Sequence, residues 1–158
     1  MINGRIRYVL GVLALAVALA GCGGDDSPPA QSSPPTSATA GGSVEAQVTS
    51  LFQHFFDGTA PAESKVPLLQ RGSEFLPVLQ AQAAGPLAKS SGVKVIKVAQ
   101  STTNSAAVTF TVLLDGKPAL ENQAGGAILE DGAWKISANT YCTLLTLQGL
   151  TAAPCTAS

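Results

Sequence analysis

Histidine is nearly missing from this chain: His54 is the only imidazole in 158 residues. A histidine-based metal site needs more than one such ligand, and every His-dependent acid–base scheme would have to run through this one side chain. There is no G-x-S-x-G elbow and no phosphate-cradling glycine loop; Gly41-Gly42 and Gly125-Gly126 read as linker and turn glycines. Charge is also scarce, at 12% of residues, and its nine bases form no stripe interleaved with aromatics. Nucleic acid is therefore excluded as an expected partner. No uninterrupted apolar run reaches the ~20 residues that span a bilayer as a helix.

What is present begins at the amino terminus. Arg5 and Arg7 precede an apolar run over residues 8–20, the length of a signal h-region of roughly 7–15 residues. The run closes on Leu19-Ala20-Gly21-Cys22, and Gly23-Gly24-Asp25-Asp26 ends it at once. Those four residues resemble a bacterial lipobox. The resemblance implies cleavage between Gly21 and Cys22, removal of residues 1–21, and a diacylglyceryl group on the Cys22 thiol. It places the protein at the extracytoplasmic face of the cell membrane, held there through its lipid.

Removing Arg5 and Arg7 with the signal leaves seven bases against ten acids, a formal charge of −3. Residues 23–42 hold four Pro, four Gly and six Ser or Thr, with no large apolar side chain. Such a segment cannot bury enough surface to offset its ordering entropy and is expected to be a disordered tether, ~60 Å long if fully extended. With Cys22 assigned to lipid, Cys142 and Cys155 remain. In an oxidising compartment the pair reads as a disulfide, worth roughly 3 kcal/mol in the chain-entropy account. Two free thiols and a metal site are the competing readings.

Residues 43–158 carry the folding signals. Ser43 is an N-cap candidate and Glu45 sits in the first turn, while Val44, Val48, Leu51, Phe52, Phe55 and Phe56 recur at helical spacing. Asp57-Gly58 is expected to end this helix, with Gly58 as a left-handed cap. His54 lies away from the apolar face, which predicts an exposed side chain. A short helix is expected before Gln70, interrupted by Pro67. Ser73 is expected to cap a third helix whose face is Phe75, Leu76, Leu79 and Ala83, ending at Gly85-Pro86.

The period then changes to two. Over residues 93–100 Val93/Val95 and Ile96/Val98 are out of phase, which predicts a bulge near Val95–Ile96. Residues 106–114 alternate, with Val108, Phe110, Val112 and Leu114 on one face and Thr109 and Thr111 on the other. Asp115-Gly116 and Asp131-Gly132 mark two tight hairpins, the second leading into Trp134-Lys135-Ile136. Glu130 and Asp131 at that tip are expected to be solvated, and Trp134 and Tyr141 to be core residues. A last helix is expected over residues 141–147. Helices followed by a meandering sheet indicate an α+β domain with N-terminal helices packed on an antiparallel sheet and a short C-terminal helix.

That order resembles the nuclear-transport-factor-2-like, or cystatin-like, fold, a curved sheet wrapped around helices as a cone. More narrowly, Leu51-Phe52 with Phe55-Phe56-Asp57-Gly58, residues 107–114, Gly132-Ala133-Trp134-Lys135-Ile136 and the Tyr141-Cys142…Cys155 ending resemble the actinobacterial low-molecular-weight secreted antigens and their lipoprotein relatives. The motifs are structural rather than catalytic. The resemblance implies a cone whose open end can hold a cavity. The expected function is a non-enzymatic lipoprotein domain, without cofactor or metal, that binds a small apolar ligand or an envelope protein. The alternatives are a degenerate isomerase- or dehydratase-like enzyme with Tyr141 or His54 as proton donor, and a purely structural surface antigen.

Overall fold

The computed structural model describes residues 42–156. The predicted signal, the predicted lipid-attachment residue Cys22 and nearly all of the predicted tether lie outside them. Helix α1 spans Val44–Phe56 and is capped by Ser43, whose Oγ accepts from the Ala46 N–H at 3.2 Å. Its buried face is Val48, Leu51, Phe52 and Phe55, the face that the spacing predicts. Asp57 then leaves the helix in extended conformation, and its Oδ1 accepts from both the N–H and the Oγ of Thr59, at 2.8 and 2.7 Å.

Gly58 is not the left-handed cap expected of it; its φ is not positive. A Cβ there would stand 1.8 Å from the Ala88 carbonyl oxygen, so glycine is required for the close passage of two chain segments. The Gly58 N–H donates to the Ser91 carbonyl across the same junction, at 3.2 Å.

Helix α2 is a single turn, Ala62–Lys65, entered from Pro61 and continued as a 3₁₀ turn over Val66–Leu68 that accommodates Pro67. Helix α3 spans Gly72–Ala83. Its cap is Arg71, in left-handed conformation at φ 57°, and not Ser73, which lies exposed within the first turn. The Arg71 guanidinium reaches forward to both carboxylate oxygens of Glu74. Phe75 and Leu79 are buried as expected, whereas Ala83 is exposed.

Four strands follow as an antiparallel meander in the order β1-β2-β3-β4: Ser91–Thr102, Ser105–Leu114, Lys117–Glu130 and Ala133–Ile136. The β1–β2 register slips between Val95 and Lys97, so Ile96 is the extra residue of the predicted bulge. In β3 the register slips again beside Asn122, whose φ is 52°. Bulges of this kind bend a strand and strengthen its twist. Both Asp-Gly pairs have positive φ at both residues, 52° and 72° then 53° and 77°, the backbone of a two-residue type I′ hairpin. Thr111, on the face opposite Val108 and Phe110, is also buried.

The outer edge of β4 is covered by the loop between α2 and α3. Leu69 forms a parallel bridge to Ile136, the Gln70 N–H donates to the Ile136 carbonyl at 2.9 Å, and the Gln70 side chain bonds both Glu130 and the Ala138 N–H. The Ile136 end of this edge is thereby paired. Glu130 is thereby half-buried and engaged by Gln70 and Lys135, against the solvated position expected for it. Helix α4 spans Ala138–Leu147, one turn longer than predicted because Ser137 caps it at the Thr140 N–H. A final turn, α5, covers Ala153–Thr156.

The core lies between the helices and the sheet. Phe52, Phe75, Phe110, Leu69, Ile136 and Leu145 are its largest fully buried side chains, drawn from α1, α3, β2, the 69–71 loop, β4 and α4. Each contributes about 1.5–3 kcal/mol of burial, so the fold depends on all of these segments meeting. Gly125 and Gly126 are strand residues within β3, not turn glycines. A Cβ on Gly125 would lie 2.6 Å from Thr140 Cγ2 and 2.9 Å from Phe110 Cε1, and this close approach seats α4 on the sheet.

Candidate functional site

Sequence-predicted candidates fall in three places. His54 is exposed on α1, with Ser50 Oγ 3.5 Å from its Nδ1. Cys142 and Cys155 are bonded to one another, with Cα atoms 5.5 Å apart, tying α5 to α4. Gly21 and Cys22 lie outside the described residues. Among the described residues no group of three or more His, Cys, Asp or Glu could hold a metal ion, and no helix is long and apolar enough to cross a membrane. Tyr141 is the one candidate placed in a cavity.

That cavity is a cleft of about 560 Å³. Phe55 and Phe56, at the end of α1, form one wall, and Leu79, Gln82 and Ala83 of α3 form another. Val112 and Leu114 of β2 face Leu120 of β3 on the sheet side. Tyr141, Leu144 and Leu147 of α4 complete the enclosure, with Leu87 and Leu150 at the margin. Its size lies within the ~300–1,000 Å³ typical of small-molecule sites.

The Tyr141 ring is held edge-on by two phenylalanines, Phe55 at 5.5 Å and Phe75 at 5.2 Å between centroids. Its hydroxyl donates to Gln82 Oε1 at 2.6 Å, and Gln82 Nε2 donates in turn to Gln148 Oε1 at 3.2 Å. Burial pushes the phenol well above its ordinary range, because the phenolate would be desolvated. A phenol so raised and already committed to an amide oxygen is poorly matched to proton transfer near neutral pH.

The sign of that shift has a consequence. A raised folded-state value means that stability is fully present below the ordinary phenol range near pH 10 and falls as pH rises beyond it. Tyr141 is the only tyrosine after residue 8. Once residues 1–21 are removed, tyrosinate absorbance should appear together with loss of secondary structure in an alkaline titration, and not as an earlier, separate step near pH 10. An isolated step near pH 10 with the fold intact would refute the buried, bonded hydroxyl.

A second groove of about 400 Å³ runs beside β2, β3 and the start of α4. Most of its hydroxyls, those of Ser105, Ser137, Thr140 and Thr143, are engaged by the fold. Thr140 Oγ1 accepts from the Gly126 N–H at 2.7 Å and lies 2.8 Å from Ser137 Oγ, which caps α4.

Four features of the larger cleft were not anticipated from sequence: Lys65, Gln82 and the exposed leucines of α4 and its exit. Lys65 is the single charged side chain on the lining. No local sequence signal marks it: it follows Glu63-Ser64 and precedes Val66-Pro67, an ordinary helix-end position for a lysine.

The family model for the low molecular weight antigen MTB12, C-terminal domain, matches residues 42–152, which covers α1 through α4. The chain belongs to this antigen family. Among curated proteins none matches it. The matched region of the MTB12 antigen domain contains every wall of the cleft and stops just short of Cys155. The antigen fold as seen here is an α+β layer of helices on one antiparallel sheet.

Proposed function

We propose that this antigen-family protein is a membrane-anchored extracytoplasmic lipoprotein whose domain binds a small apolar ligand without reacting on it. One observation carries the ligand reading. Four large apolar side chains are conspicuously exposed among the described residues, and three of them, Leu87 (58%), Leu147 (54%) and Leu150 (42%), lie on this one cleft. Scattered exposed leucines are unremarkable, but their concentration around a concave apolar mouth is the mark of a binding site. The satisfied state of Tyr141 supports a binding role over a catalytic one. The lipobox-like Leu19-Ala20-Gly21-Cys22 and the Pro/Ser/Gly tether support anchoring at the outer membrane face, with the domain held away from the bilayer.

The test uses the full chain carrying Cys22→Ser, so that it bears no acyl group of its own, titrated with the neutral fluorophore N-phenyl-1-naphthylamine. Saturable binding is expected, and Ala83→Trp, which places an indole on an exposed residue of the cleft wall, should weaken it by about tenfold, equivalent to ~1.4 kcal/mol. Circular dichroism should be unchanged by the substitution. Absence of saturable binding, or equal affinity in the Trp variant, would overturn the proposal.

A further inference from the structure

We infer that the cleft takes a single-chain amphiphile with a carboxylate head, the hydrocarbon lying along the apolar walls and the head at Lys65. This rests on the ligand-binding reading above and specifies its chemistry.

The polar demand of the cleft is concentrated at one point. Along the interior, the Tyr141 hydroxyl is committed to Gln82 Oε1 and Gln82 Nε2 to Gln148 Oε1, which leaves uncharged amide N–H groups as the remaining polar atoms there. Ser91 Oγ is engaged by the Phe56 and Ala88 carbonyls, and the other uncharged side chains of the lining are apolar. Lys65 is the only charged residue on the lining, it is half-buried, and no carboxylate lies within 4 Å of its ammonium among the described residues. The cations that do form ion pairs there are Arg71, with Glu74, and Lys135, with Glu130 and Asp131.

The acid nearest in influence is Asp57, whose attraction for Lys65 is electrostatic and not a contact. Its Oδ1 is turned into its own loop and takes two hydrogen bonds from Thr59, which also hold the carboxyl below its usual range. Burial correspondingly depresses the Lys65 ammonium, with Asp57 only partly offsetting the effect. A half-buried cation without a partner carries a desolvation cost that an arriving anion relieves. A neutral amphiphile would leave that cost in place, and a cationic one would add to it.

The head should be monoanionic. The single Lys65 ammonium matches one negative charge, whereas a phosphate dianion would leave a second charge unmatched and be repelled more strongly by Asp57. A carboxylate needs a single cation and brings two acceptors to its donors.

The experiment is calorimetric titration of the full chain carrying Cys22→Ser with laurate, 1-dodecanol and dodecyl phosphate, each below its aggregation limit. Laurate should bind at least tenfold more tightly than dodecanol and more tightly than dodecyl phosphate. Lys65→Met should abolish the preference for laurate over dodecanol, and Lys65→Arg should retain it. Equal affinity for laurate and dodecanol in the unsubstituted cleft overturns the head-group assignment but leaves apolar binding standing. Tighter binding of dodecyl phosphate overturns the carboxylate in favour of a phosphate head. Failure of both laurate and dodecanol to bind overturns this inference and the ligand-binding function together.

Discussion

Gly72→Ala should destabilise the domain by about 3 kcal/mol or more, at the upper end of the overpacking range, and lower its Tm by roughly 10 °C. The added Cβ would lie 2.0 Å from the Val66 carbonyl oxygen and 2.9 Å from its carbon. Both are backbone atoms, so no side chain can rotate away. Nor can the Val66 peptide easily yield: Pro67 follows it, and its oxygen accepts from the Leu69 N–H at 3.3 Å. Retreat would also pull Leu69 and Gln70 from the edge of β4, where they cover Ile136. Gly92→Ala is the control. Its Cβ would meet nothing closer than Leu113 Cβ at 4.0 Å and its φ is not positive, so the change should be neutral or slightly stabilising. Urea unfolding of both variants decides the matter, and a Gly72→Ala midpoint near that of Gly92→Ala would show that the α2–α3 junction is not the tight crossing described.

The second large effect concerns attachment. Cys22→Ala is expected to abolish metabolic fatty-acid labelling and to release the protein from the membrane fraction. Only a thiol can form the thioether, and neither Ala20 nor Gly21 can substitute for it. Each buried acyl methylene is worth about 0.8 kcal/mol, so the two chains of a diacylglyceryl group hold firmly where one would hold only marginally. The folded domain should be unaffected. Fatty-acid labelling that persisted in Cys22→Ala would eliminate the lipobox reading.

Much of the secondary structure was legible because its signals are local. The Ser43 cap, the Val48–Phe55 face, the two Asp-Gly turns and the bulge at Ile96 each depend on residues within a few positions of one another. Helical period, strand period and turn chemistry act at that range. Ser73 misled because a polar residue near a helix start normally caps it. Here Arg71 enters the left-handed region two residues earlier and the helix begins at Gly72.

The glycines show where local reasoning ends. Gly58 and Gly125 carry no sequence mark separating them from turn or linker glycines. Gly58 admits the Ala88 carbonyl from 30 residues along the chain, and Gly125 admits Phe110 and Thr140. Glu130 and Gln70 are likewise joined across 60 residues, which made a half-buried partner of a residue expected to be solvated.

Alone, the sequence determined most of the helix and strand segments, where the hairpins turn, and the pairing of Cys142 with Cys155. It did so because those properties are written in spacing and composition. The cleft was decided by tertiary structure alone. Its walls come from α1, α3, β2, β3 and α4, and its one charge from α2, so only packing half-buries the Lys65 ammonium on this lining without bringing a carboxylate into contact with it.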